Sequence, residues 1–99
     1  MIHLTPTELR IVRNILRSTV PKAKVAVFGS RATGIRLKKF SDLDLLIQAS
    51  RTLSFATSAK IKEAFSESDL VFRVDIVDAR TASKSFLEHI QKDLISIQK

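Results

Sequence analysis

Apolar residues recur at Leu9, Ile11, Val12, Ile15 and Leu16, with Arg10, Arg13 and Arg17 on one stripe of the other side. This is the rhythm of a helix with one broad apolar face. Its ends are marked as well. Thr5 and Glu8 have the spacing of a capping box, Pro6 takes the first helical position, Leu4 can staple onto Leu9, and Pro21 disfavours helix at Val20. Residues 24–28 (KVAVF), 43–48 (LDLLIQ) and 71–77 (VFRVDIV) then predict three strands. Between the second and third, Phe55, Ala59, Ile61, Ala64 and Phe65 return to a loosely helical spacing, which predicts a helix over 55–66. A last helix is predicted from Thr81 through Phe86, Leu87 and Ile90; beyond Asp93, LISIQ alternates like a strand but can also extend the helix. The crossover helix makes the second and third strands parallel neighbours. The expectation is one α/β (α+β) domain over residues 1–99, built on a small mixed sheet and long enough to bury a core without staples.

Alternation along the strands puts carboxylates where a half-buried sheet would not want them. Asp42 and Asp44 share one face of the second strand, and Arg73, Asp75 and Val77 share one side of the third. If those strands pair, Asp75 stands beside Asp42 and Asp44. At about 5 Å and an effective dielectric near 20, each pair of negative charges repels by roughly 3 kcal/mol, so three together take up protons or hold cations. The chain has no cysteine, and His3 and His89 read as surface residues. Oxygen ligands alone favour a hard divalent cation, Mg²⁺ or Mn²⁺, which takes further ligands from substrate phosphates. Gly29 and Ser30 stop the first strand in a turn that permits close backbone approach; Ser30 can cap a short helix, free N–H groups there favour phosphate, and Arg31 adds a positive charge nearby. No Lys-Ser or Lys-Thr pair follows, so the turn is not a Walker A loop. Asp78 reads as a cap on the turn toward the last helix.

Charge and composition narrow the function classes. The net charge is +7, and it is uneven: residues 9–39 carry nine Lys or Arg and no acid, residues 40–99 eight basic and nine acidic side chains. This asymmetry suggests an acidic or polyanionic partner. Without Trp or Tyr, and with most of the six Phe at core-like positions, there is no aromatic platform for stacking bases, so nucleic-acid binding is not favoured. No apolar run approaches membrane-spanning length and no signal-peptide pattern opens the chain, which leaves a soluble, cytoplasmic protein without membrane contact as the expectation.

Taken together, VAVFGSRATG, SDLDLLI and VDIVD resemble the nucleotidyltransferase superfamily that includes DNA polymerase β, and specifically its minimal stand-alone members, the MNT domains. The resemblance runs from about Lys24 to Asp78. It implies the nucleotidyltransferase fold, with helices packed mainly on one face of the sheet. It also implies that Asp42, Asp44 and Asp75 are catalytic and bind two Mg²⁺ ions, that Gly29, Ser30 and Arg31 bind the nucleotide, and that a nucleotidyl group passes from a nucleoside triphosphate, most often ATP, to an acceptor. The minimal members serve as antitoxins beside a HEPN-domain toxin, and some adenylylate a tyrosine of that toxin. Since this chain has no tyrosine, such an acceptor would lie on another protein. A partner or a second copy is expected to complete so small a site. Two rival readings are a binding module with an inactive site, which neutralises its partner by contact, and a basic RNA-binding protein.

Overall fold

Thr5 opens the first helix as its spacing predicts. In the computed structural model, which describes residues 1–99, its hydroxyl accepts from the Glu8 N–H at 3.1 Å while the Glu8 carboxylate accepts from the Thr5 N–H at 2.9 Å. The helix, α1 (Pro6–Thr19), buries Val12 and Leu16 completely, each contributing about 1.5–3 kcal/mol. Of the arginine stripe, Arg13 is drawn into the framework, its Nε donating to the Ile97 carbonyl at 3.2 Å.

The remaining elements are β1 (Lys24–Phe28), the single turn α2 (Ser30–Thr33), β2 (Leu43–Gln48), α3 (Phe55–Ser66), β3 (Val74–Asp78), α4 (Lys84–Ile90) with a 3₁₀ turn (Gln91–Asp93), and β4 (Ile95–Gln98). The sheet runs in the order β3-β2-β1-β4. β2 and β3 are parallel neighbours, as the crossover helix requires, and β1 is antiparallel to both β2 and β4. One sheet face carries Val25, Val27, Leu43, Leu45, Ile47 and Ile97 against Val12 and Leu16 of α1 and Ile61 and Phe65 of α3; this is the main core. On the other face Phe28 and Leu46 meet Ile90 of α4, and the Phe28 and Phe86 rings pack edge to face at 5.7 Å. With only seven residues, α4 covers part of that face, and the rest carries Asp44 and Asp75.

Several boundaries differ from expectation, each for a local reason. β3 begins at Val74 rather than at residue 71. The ladder starts with the Leu43 N–H on the Arg73 carbonyl (2.9 Å), and Phe72 packs beneath an arginine instead of pairing. α4 begins at Lys84 because the Asp78 carbonyl takes the N–H groups of Thr81 and Ala82, leaving Ser83 to cap the helix through the Phe86 N–H at 3.2 Å. The ambiguous LISIQ segment is a strand, paired with β1. Phe55, in the first turn of α3, is 90% exposed and no part of the core, and Phe40 is exposed as well.

Candidate active site

Leu43 and Leu45 are buried completely in the main core, so the residues between and before them turn to the opposite face. That fixes Asp44 and places Asp42 at the mouth of the strand. In the parallel ladder Asp44 stands directly opposite Asp75. The three carboxylates predicted from alternation thus gather at one end of one sheet face. Their mutual influence is legible in Asp44, whose carboxyl is pushed above its ordinary value, first by burial and then by the negative charges of Asp75 and Asp42, against a smaller opposing pull from Arg73. Asp42 and Asp75 are the open members, with side chains 38% and 47% exposed.

The glycine turn lies against this cluster. Gly29 has φ +75° and ψ −157°, a backbone state essentially confined to glycine. A β-carbon there would strike Oδ2 of Asp44 and stand 3.3 Å from its carboxyl carbon. Gly29, not Ser30, is the N-cap of α2; Ser30 is the first helical residue, and no side chain caps this turn.

Arg31 is brought elsewhere. It is 6% exposed and is the one buried charged side chain of the protein. Its Nε donates to the Ser41 carbonyl at 2.9 Å, and its terminal nitrogens donate to the carbonyls of His3 (3.1 Å) and Lys39 (3.3 Å). The guanidinium also lies 3.9 Å from the centre of the Phe72 ring. Its fork ties the N-terminal segment to the loop that leads into Asp42, so its charge belongs to the framework and not to an open phosphate site. Asp78 behaves as expected, its carboxylate accepting from the N–H groups of Leu53 (2.8 Å) and Arg80 (2.9 Å). Both histidines, His3 and His89, are exposed.

The basic residue that does meet the carboxylates is Arg73. One terminal nitrogen donates to Oδ2 of Asp42 at 2.8 Å, and its Nε stands 3.6 Å from Oδ1 of Asp75. The only sequence signal for this was its position on the same strand side as Asp75. An all-oxygen set of three carboxylates has the donor chemistry of a hard divalent cation site. As the side chains stand, however, the three do not close around one point, and Arg73 is paired with both Asp42 and Asp75.

The family model for polymerase β-type nucleotidyltransferases matches residues 11–99. The chain belongs to that nucleotidyltransferase family. Within it, the chain is similar to a Haemophilus influenzae protein named "Probable protein adenylyltransferase MntA", with 49% identity over 97 residues, 98% of this chain and 84% of the relative. A solved minimal nucleotidyltransferase superposes with a TM-score of 0.71 at 31% identity, covering 94% of this chain and 96% of its own. The fold is shared further with a chain from the complex of the tri-AMPylated HEPN toxin of Shewanella oneidensis with MNT antitoxin, at a TM-score of 0.67 and 22% identity over 90% of this chain and 67% of that one. The nucleotidyltransferase fold expected from the strand and turn motifs is therefore the fold present.

Proposed function

We propose that this protein transfers AMP from ATP to a HEPN-type toxin and acts as the antitoxin of that pair. The observation that carries the reading is the Asp44–Asp75 rung of the parallel ladder, with Asp42 on the same face and the Gly29 turn against it. It is joined by the 49% identity to the relative named "Probable protein adenylyltransferase MntA" and by the fold shared with a chain of an antitoxin–toxin complex whose toxin is AMPylated.

In this reading an acceptor hydroxyl gives up its proton to water and its oxygen attacks the α-phosphorus of ATP in line. The new P–O bond forms as the bond to the β-phosphate oxygen breaks, and pyrophosphate leaves with the displaced electron pair. Asp42, Asp44 and Asp75 would hold Mg²⁺ or Mn²⁺, and a divalent ion bound there supplies charge neutralisation for the entering and leaving oxygens. Gly29 and Ser30 would receive the β- and γ-phosphates through backbone N–H groups at the start of α2. The exposure of Asp42 and Asp75 leaves the acidic cluster accessible to an acceptor presented by another protein.

The test is incubation with ATP labelled at the α-phosphate, Mg²⁺ and a HEPN toxin. Label on the toxin is the expected result. A complex that forms and neutralises the toxin while acquiring no label would establish the contact-only reading instead.

A further inference from the structure

Asp42 and Asp75 make the protein's two ion pairs, and both are with Arg73. Among 17 Lys and Arg and 10 Asp and Glu, no other opposite charges close to that distance, so crowding does not explain the arrangement. The backbone builds it. The Arg73 carbonyl accepts from the Leu43 N–H at 2.9 Å, which pins Arg73 beside Asp42, and a spacing of two along the strand turns its side chain to the face of Asp75. The side chain itself is 74% exposed, so nothing packed around it resists its departure.

We propose that Arg73 is the resident counter-cation of the acidic cluster. It offsets part of the negative charge of Asp42 and Asp75 in the metal-free protein, competes with a divalent cation for them, and is released when the cation binds. The inference rests on the metal-dependent reading above. It accounts for two observations at once: three acidic side chains on one face of the strands, and their failure to close around a common point. A released guanidinium is then free to pair with phosphate oxygens, so the cation and the nucleotide bind better together than either alone.

Titration of Mn²⁺ into the nucleotide-free protein at low ionic strength, with the free ion followed by electron paramagnetic resonance, tests this. R73Q is expected to bind Mn²⁺ about three- to ten-fold more tightly than the wild type, the range set by two exposed ion pairs of modest strength. R73K keeps the charge but cannot fork between the two carboxylates, and is expected to fall between them. In EDTA, R73Q is expected to melt below the wild type, and its exposed position makes a folded variant the expected product. Equal or weaker Mn²⁺ affinity in folded R73Q overturns the role of Arg73 alone. Absence of Mn²⁺ binding by both proteins, in the presence and absence of ATP, overturns this inference together with the metal-dependent reading.

Discussion

The carboxylate of Asp44 occupies the space that a β-carbon on Gly29 would need. Turn and acid are therefore one unit: the first strand can end against the acidic cluster only because residue 29 has no side chain, and only because glycine tolerates its φ of +75° with ψ −157°. Gly29→Ala is expected to lose about 1–3 kcal/mol of stability from backbone strain, with a further steric cost against Asp44. Urea denaturation of G29A alone and in a D44A background separates the two: the steric part disappears in the double variant and the strain remains.

Asp44→Asn should abolish nucleotide transfer yet stabilise the metal-free protein at neutral pH. The folded state raises the carboxyl's affinity for its proton, so the contribution of Asp44 to stability is full below the ordinary value of 3.8 and is lost as pH rises through the higher folded value. The advantage of D44N over wild type should accordingly be present at pH 7 and vanish in acid below 3.8. Denaturation midpoints in EDTA at both pH values check it; a D44N protein less stable than wild type at pH 7 would contradict the electrostatic account.

Arg31→Lys is expected to act on the fold rather than on phosphate. Lysine cannot serve three carbonyls from one plane while standing over the Phe72 ring, and a loss of about 1–3 kcal/mol follows from the partners left unmet. At a temperature where the variant is folded, KM for ATP should move by less than about three-fold. A stable variant with a strongly raised KM would return Arg31 to the nucleotide.

Asp78→Ala serves as the contrasting acid. It removes the acceptor for the Leu53 and Arg80 N–H groups and should cost about 1–3 kcal/mol, without loss of label transfer in the folded protein. Thermal melts and the transfer assay, run on the same preparation, measure both.

What was legible in the chain was what local rules govern. Thr5 and Glu8 fix a helix start within one turn, and residues 55–66 form the helix their spacing predicts. Alternation alone put Asp42 and Asp44 on one face, and the crossover helix was enough to bring Asp75 beside them. What escaped depends on partners distant in sequence. Arg31 follows a glycine-serine turn and looks like a phosphate ligand until the N-terminal segment, 28 residues away, and the loop before Asp42 close over it. Arg73 meets Asp42 across 31 residues. The strand at 95–98 has only four residues, too few for its period to decide, and its partner β1 lies some seventy residues earlier. Ser30 lost its expected capping role because Gly29 already holds the one backbone geometry that starts α2.

The most direct measurement is single-turnover transfer from α-labelled ATP to a HEPN toxin by the Asp75→Asn protein. Asp75 is the carboxylate that only the folded sheet delivers to Asp44, and the change removes its charge at little cost in volume. Folded D75N, still bound to the toxin, should transfer label at least about 10²-fold more slowly than wild type, the scale on which a charge at the reacting centre acts. Transfer at the wild-type rate would contradict the claim that these three side chains form the catalytic centre.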